Sequence, residues 1–397
     1  MTANRASLFT LCHHFLDFRK RILEVENSRV GDFKLRTGEY GFLTVGSSDL
    51  FVAYGKSEFP SDKLNADFSV YSLEGSTIGN ISIRYDSVIS SPTDRFTFQI
   101  NEKCSITLTI QTISRMTGKF SSSSRIRLPE HLIVGHRGSG MNSVTSTLLE
   151  NSILSYNTAI DNGANAVETD VHMASDGVIV VNHDPHVDVF NNGQCEDSRL
   201  IREMTADEVQ DSGLCTIFEE RRPLFKDVLK NLKHKALIDI EIKYYDDIEH
   251  PFSDRTKIIE GVFEDIAEYG ATRDIMFCSF DPMMVIMLSL TQSRYPVMKL
   301  MGQKEYHTIE DVTRIIDSLM PVFKWADVRG LEFNAIYAKK APEWITQSVS
   351  NGFAVMTWGQ KNTELWYIDL QLELGVSGFI TDDVPVTKWL LKRGHNW

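Results

Sequence analysis

Two short apolar runs constrain this chain more than anything else in it, because every second side chain in them is ionisable. In Ala166-Val167-Glu168-Thr169-Asp170-Val171-His172 the ionisable residues alternate with apolar or neutral ones, and Ala236-Leu237-Ile238-Asp239-Ile240-Glu241-Ile242-Lys243 repeats the device. Successive side chains point to opposite faces of a strand, so Glu168, Asp170 and His172 share one face, as do Asp239, Glu241 and Lys243 on theirs. A solvated edge strand can carry such alternation, but the flanking valines and isoleucines read as interior strands. Unpaired buried carboxylates are costly, so a cation is their natural compensation. Carboxylate oxygens suit hard divalent ions such as Mg²⁺ or Ca²⁺.

The first run sits inside a larger unit. Leu132-Ile133-Val134-Gly135-His136-Arg137-Gly138 is an apolar run ending in an imidazole and a guanidinium. Leu149, Ile153, Tyr156 and Ile160 then recur at helical intervals, and Gly163 follows Asn162 where a left-handed cap would stop a helix. Strand, helix and strand make a βαβ unit with parallel strands. Only Met173 to Gly177 separates the second strand from the run Val178-Ile179-Val180-Val181, and a parallel crossover needs a dozen residues or more. This third run therefore returns antiparallel, as a hairpin on Asp176-Gly177. A turn centred near Ser175 sets His183 roughly opposite Glu168.

Further strands are expected at Ile275 to Phe280, Val297 to Met301, Gly330 to Asn334, Ala354 to Trp358 and Gly378 to Thr381, with helical stretches between most of them. Together with the three parallel strands already placed they make eight, the count of a (β/α)₈ TIM-type barrel over residues 126–397, whose chemistry sits at the C-terminal strand ends. A doubly wound open sheet is the competing α/β reading, but no Gly-rich nucleotide loop follows the first strand. Residues 186–222 read as a polar, irregular insertion over the mouth, turning at Asn191-Asn192-Gly193, with a helix start at Thr205-Ala206-Asp207-Glu208. In front of the barrel, apolar residues alternate with polar ones at Phe68 and Val70, at Ile81, Ile83 and Tyr85, at Phe96, Phe98 and Ile100, and at Ile106, Leu108 and Ile110. This spacing suggests an N-terminal β-sandwich-like domain over residues 1–125, with Ser121 to Ser124 marking the linker.

Gly135-His136-Arg137-Gly138, Glu150-Asn151-Ser152, Glu168-x-Asp170-Val171, Asp176-Gly177 leading to His183-Asp184, and Glu241-Ile242-Lys243 follow one another in an order and spacing that resemble the glycerophosphodiester phosphodiesterases. The resemblance covers residues 132 to 383. A longer polar loop from Ser139 to Leu149, and Met356-Thr357-Trp358-Gly359 where many members carry a Trp-Thr-Val-Asn-like run, are similar to the eukaryotic glycerophosphocholine phosphodiesterase branch. The resemblance implies hydrolysis of a small-molecule glycerophosphodiester, glycerophosphocholine above all, to sn-glycerol 3-phosphate and choline. It also implies His136 and His183 as the acid–base pair, with the glycerol 2-hydroxyl as a plausible internal nucleophile giving a cyclic phosphate before water enters.

Phosphodiester cleavage asks for neutralised phosphate oxygens, an activated nucleophile and a protonated leaving group. A divalent cation on Glu168, Asp170 and Glu241, with Arg137 and Lys243 at the phosphate, meets the first need. Two imidazoles meet the others, and the sequence does not assign which is the base. Trp358 at a strand end is either rim packing or a substrate wall, and His172 shares the acidic face but equally suits orienting its neighbours. Two alternatives stay open: a lysophospholipase D-like phosphodiesterase ending in a cyclic phosphate, and an inert barrel whose β-domain binds a partner. Relatives of this branch often carry a sugar-binding module in front, yet all six tryptophans lie at Trp325 or later, so the ligand of the β-domain stays unknown.

The formal charge of −13, from 54 acidic and 41 basic residues, argues against nonspecific contact with nucleic acid or an anionic membrane. The cysteines, Cys12, Cys104, Cys195, Cys215 and Cys278, are an odd, scattered set expected to be reduced thiols. No apolar run approaches the roughly 20 residues of a membrane span, and the N-terminus, broken by His13 and His14, does not read as a signal peptide. A cytoplasmic location is the expectation.

Overall fold

Parallel pairing carried from strand to strand until it returns to its starting strand turns the second part of the chain into a closed ring. The computed structural model describes residues 128, 131–142, 147–191, 194–212, 221–233, 236–244, 255–302 and 326–393, a few isolated positions between 302 and 326, and the backbone of the N-terminal strands. The chain divides into two compact units, residues 1–116 with 313–326 and residues 117–312 with 327–397.

The first unit contains β1 (Thr10–Cys12), β2 (Phe33–Thr37), β3 (Leu43–Thr44), β4 (Leu50–Val52), β5 (Asn65–Ser72), β6 (Thr77–Arg84), β7 (Thr93–Asn101) and β8 (Cys104–Gln111). They form two four-stranded antiparallel sheets, ordered β4-β1-β8-β7 and β3-β2-β5-β6. The four alternating segments expected from the sequence fall on β5 to β8, apart from Tyr85, which lies outside the described residues. The expected linker at Ser121 to Ser124 lies outside the described residues.

The second unit is the barrel. Its parallel strands are β9 (Leu132–Gly135), β10 (Ala166–Met173), β14 (Leu237–Ile242), β15 (Ile275–Ser279), β16 (Val297–Met301), β17 (Gly330–Asn334), β18 (Ala354–Trp358) and β19 (Gly378–Thr381). They pair in that order, and β9 pairs both with β19 and with β10, which closes the ring. The closure rules out the open doubly wound sheet. Leu132, Val134, Ala166, Leu237, Met276, Cys278, Met298, Leu300, Met356 and Ile380 form one buried apolar cluster. Ala166 and Leu237 lie on the same strand faces as the two sets of alternating acids, so those acids stand in the barrel interior above an apolar floor. The opposite strand faces meet helices through fully buried rings such as Phe277, Phe333, Phe379, Tyr156 and Trp344.

The helix between β9 and β10 runs Ile153–Asp161, with the Ser152 side chain accepting from the Ser155 amide and Gly163 at φ 101° beyond it. Leu149 precedes this helix, because Glu150 and Asn151 form a turn in which Asn151 takes φ 58°. β11 (Ile179–Val181) pairs antiparallel with β10 as expected. Its register corrects one expectation. Val171 faces Val181 and the Asn182 amide donates to the Asp170 carbonyl at 3.1 Å. The turn is thus centred on Asp176 rather than near Ser175, and His183 falls one position past Asp170's partner instead of opposite Glu168. Gly177 at φ 83° supplies the left-handed residue that completes this tighter turn.

The described part of the insertion is largely regular structure, while Asn192 and Gly193 of the expected turn lie outside the described residues. β12 (His186–Asn191) and β13 (Gln194–Leu200) pair as an antiparallel hairpin down to Asn191 opposite Gln194. Thr205 caps the helix Ala206–Asp211 through a reciprocal box with Glu208. Arg222 then donates to Asn182 Oδ1 at 2.9 Å, which anchors the far end of the insertion beside His183.

The exit of β9 is shaped by glycines. Arg137 adopts φ 48° and Gly138 φ 92°, and the Gly138 amide donates back to the Gly135 carbonyl at 3.1 Å. A Cβ on Gly138 would lie 2.5 Å from Ser155 Oγ and 2.7 Å from the Tyr156 backbone nitrogen. Gly138→Ala is therefore expected to lower stability by roughly 1–3 kcal/mol through backbone strain and overpacking. Chemical denaturation of the purified chain checks this, and an unchanged midpoint would contradict the tight turn.

Candidate active site

Each site residue is held by the strand end that carries it. Glu168 and Asp170 project from β10 and Glu241 from β14, and parallel pairing sets Asp170 directly beside Glu241. All three are buried, and one oxygen from each comes within 4.8 Å of the others. Two cations are locked against them. Lys243 Nζ lies 2.6 Å from Glu241 Oε1 and 2.8 Å from Asp170 Oδ1. Arg137 donates through NH1 to both oxygens of Glu150, at 3.1 and 3.2 Å, with Nε 3.6 Å from Asp170. Its backbone amide donates to Glu168 Oε2 at 2.8 Å, so the left-handed turn at Arg137 aims the main chain at the cluster.

The cluster is short of positive charge. Burial pushes Glu168 well above the usual carboxylate range, with Asp170 and Glu241 adding repulsion that Lys243 and Arg137 only partly offset. Burial likewise raises Glu241, against the attraction of Lys243. Asp170 moves the other way: burial would raise it, but Lys243, Arg137 and His183 together hold it below its ordinary value. Glu168 Oε1 is buried without a hydrogen-bond partner among the described residues. Three converging carboxylates, one with an orphaned oxygen, fit a hard divalent cation, and Glu168, Asp170 and Glu241 are the residues that would hold it.

Two histidines flank the cluster, each paired with an aspartate. His136, one residue beyond β9, places Nδ1 2.6 Å from Asp382 Oδ1, and its amide donates to the Thr381 carbonyl. His183 places Nδ1 2.7 Å from Asp184 Oδ1 and stays about one-third exposed. A carboxylate only accepts, so both imidazoles carry their proton on Nδ1, and Nε2 of each is the nitrogen left for chemistry. Burial lowers the His183 pKa, and the Lys243 charge lowers it further, against the pull of Asp170. Asp382 is held below its ordinary value: burial raises it, while the hydrogen bond and charge of His136 and the Met141 amide outweigh that.

His172 is a positioning group here. Its Nε2 donates to the His183 carbonyl at 3.3 Å, and burial drives its pKa down to about 4. Trp358 sits at the rim with Nε1 donating to the Met301 carbonyl at 3.2 Å and its ring edge-on to Phe280, 5.8 Å between centroids. Asn151 reaches Asp170 Oδ2 at 2.8 Å and receives the Tyr156 hydroxyl, whose oxygen also lies 2.6 Å from Thr169 Oγ1. The first βα loop is thereby tied to the carboxylate strand.

With this geometry in hand, residues 136–386 match the model of the glycerophosphoryl diester phosphodiesterase family. The chain belongs to that family. The enzyme class expected from its motifs, a glycerophosphodiester phosphodiesterase, is the one the family names. It is 27% identical to a glycerophosphodiester phosphodiesterase of Arabidopsis thaliana over 289 residues, which cover 65% of this chain and 77% of the relative. It is 26% identical to the glycerophosphocholine phosphodiesterase of Rattus norvegicus over 309 residues, 68% of this chain. The chain spans only 46% of that relative's length. Among solved structures, a putative glycerophosphoryl diester phosphodiesterase of Silicibacter pomeroyi superimposes with a TM-score of 0.53 at 22% identity, covering 69% of this chain and 96% of that one. An Oleispira antarctica phosphodiesterase in complex with the product sn-glycerol-3-phosphate gives 0.52 at 15% identity, covering 66% and 96%. These two likenesses establish the shared barrel.

Sequence reading missed Asp382 and Asn151 as site residues of this phosphodiesterase. Asp382 was marked by its place just past the C-terminal end of β19, where barrels keep functional groups. Asn151 lies in the Glu150-Asn151-Ser152 run, but its reach to Asp170 depends on a left-handed backbone that no residue pattern shows. Arg137, Lys243, Glu168, Asp170 and Glu241 are all brought together. If they form a cation site, Mg²⁺ or Ca²⁺ at a hundredfold excess over its Kd should stabilise the chain by about 2.7 kcal/mol. Glu168→Gln and Asp170→Asn should lose that increment in thermal denaturation with and without the ion, and equal increments in the variants would contradict the assignment.

Proposed function

We propose that the protein hydrolyses glycerophosphocholine to sn-glycerol 3-phosphate and choline, in a reaction that depends on Mg²⁺ or Ca²⁺ and moves its protons through His136 and His183. The observation that carries this reading is the convergence of three buried carboxylates between two His–Asp pairs at the C-terminal ends of barrel strands. The glycerophosphocholine phosphodiesterases among the relatives favour the choline diester.

The bound cation would supply charge neutralisation at the non-bridging phosphate oxygens. Arg137 and Lys243 add fixed positive charge beside them and keep Asp170 ionised. His136, oriented by Asp382, presents Nε2 to one side of the phosphate, and His183, braced by Asp184 and by the His172 contact to its carbonyl, presents Nε2 from the hairpin. One accepts the proton of the attacking oxygen, the glycerol 2-hydroxyl or water, and the other gives a proton to the leaving choline oxygen. Trp358 walls the mouth. We also place residues 1–125 in a separate sandwich-like domain and the protein in the cytoplasm. The alternation in β5 to β8 supports the first, and the odd, scattered set of cysteines supports the second.

Hydrolysis of glycerophosphocholine with and without chelator, with products identified by phosphorus NMR, tests the reading. Turnover unaffected by chelator would remove the cation from it, and a cyclic phosphate as the final product would favour a lysophospholipase D-like course. His136→Ala and His183→Ala should each lower kcat by about 10²–10⁴-fold, and the double variant should fall far short of the product of the two losses, as for residues that act as a unit. A p-nitrophenyl diester, whose leaving group needs little protonation, should rescue only the variant that lacks the acid. A chain beginning at Arg125 is expected to retain turnover. A folded, cation-loaded barrel with none would show that the N-terminal strands complete the site.

A further inference from the structure

Below the three carboxylates the barrel interior holds a second group that the proposed hydrolysis does not use. Asp239 from β14, Cys278 from β15 and Glu332 from β17 bring a carboxylate oxygen, a thiol sulfur and a second carboxylate oxygen within 4.8 Å of one another. Asp239 and Glu332 are 0% exposed and Cys278 is 1% exposed. None of the four carboxylate oxygens has a nitrogen or oxygen donor among the described residues, and the Cys278 thiol, a weak S–H donor, lies against both groups. Buried carboxyls normally find strong donors. Leaving four such oxygens bare in a closed interior is unfavourable, so either the acids are neutral or something occupies the space between them.

The arrangement of the strands favours the second. β14 and β15 are neighbours, but β17 stands on the far side of β16, so the Glu332 side chain must reach across the interior to meet the other two. Its own neighbours in register are Leu300 and Met356, both in the apolar cluster. An acid that only filled volume there would be replaced at lower cost by the leucine and methionine chemistry around it.

We propose that Asp239, Cys278 and Glu332 form a second, deeper metal site, selective for a borderline-soft divalent ion of the Zn²⁺, Co²⁺ or Fe²⁺ class. Two carboxylates alone would suit Mg²⁺ or Ca²⁺, but a thiolate ligand selects the later first-row ions. On binding, the Cys278 sulfur gives its proton to solvent and forms the metal–sulfur bond, with no change of oxidation state. The site is independent of the hydrolytic assignment, since no residue is shared.

Co²⁺ added to the full chain after chelator treatment, in excess Mg²⁺, is the probe. A thiolate-to-cobalt charge-transfer band in the near ultraviolet is expected in the unmodified protein. It should vanish in Cys278→Ser and persist when Cys12, Cys104, Cys195 and Cys215 are together replaced by serine. Glu332→Gln should weaken Co²⁺ binding at least by the roughly 10–100-fold that loss of an outer-shell partner costs. Asp170→Asn should leave the band in place. Absence of the band in the folded unmodified protein, its survival in Cys278→Ser, or its loss in the four-serine variant would overturn the site. None of these outcomes bears on the hydrolysis of glycerophosphocholine, which is read separately in the unmodified protein.

Discussion

The pairing of one ammonium, Lys243, with two carboxylates on adjacent strands underlies the rest of the barrel's upper interior. Asp170 and Glu241 stand side by side because β10 and β14 are parallel and in register, and without Lys243 between them their repulsion would be met in a medium of low polarity. Lost partners of buried charges typically cost about 3–5 kcal/mol. Lys243 and Arg137 bring two positive charges to Glu168, Asp170 and Glu241, which bring three negative ones. Burial first, and the repulsion of Asp170 and Glu241 second, push Glu168 toward its neutral form, and one of its oxygens is orphaned among the described residues. A binding site for a cation is thus a consequence of incomplete charge compensation in a rigid ring.

The loops then act as spacers of known length. The His136–Gly138 turn carries three functions in consecutive residues. The imidazole goes to Asp382, the Arg137 amide goes to Glu168, and Gly138 lets the chain double back beneath the helix that follows. The hairpin on Asp176-Gly177 does the corresponding work for His183. Asn182 fastens it by donating from its amide to the Asp170 carbonyl and from its side chain to the Asp184 carbonyl. The neighbours of both histidines, Arg137 beside His136 and Asn182 beside His183, are thus hydrogen-bonded to the same strand, β10, from opposite directions along the chain. Under the proposed function, this common strand is what would bring the two imidazoles to one phosphate.

Much of this was legible in the sequence alone, for physical reasons. Period-two alternation on β10 and β14 marks a face, and the apolar residues between the acids mark that face as interior. The length of the Met173 to Gly177 connection forces antiparallel return. Other features were not legible. Turn geometry, not hydrophobic pattern, sets hairpin register, and centring the turn on Asp176 moved His183 by a full position. Asp382 and Asp383 are adjacent acids with different tasks, one orienting His136 and the other capping the helix Val384–Lys392, and no sequence signal tells them apart. Asp239 and Glu332 each obey the alternation on their own strands, yet their convergence depends on the curvature of the closed ring. A one-dimensional pattern carries no information about what meets across a barrel.

Glu168, Asp170 and Glu241 are proposed here as the ligands of a divalent cation. A crystal structure of the protein grown with Mn²⁺, with anomalous scattering recorded near the manganese edge, tests this most directly. A strong anomalous peak bonded to one oxygen of each carboxylate is expected at roughly 2.0–2.6 Å, the range of hard divalent ions, with Lys243 still paired to Asp170 and Glu241. A peak elsewhere, or an ordered site in which the Lys243 ammonium alone fills the space among the three carboxylates, would contradict it.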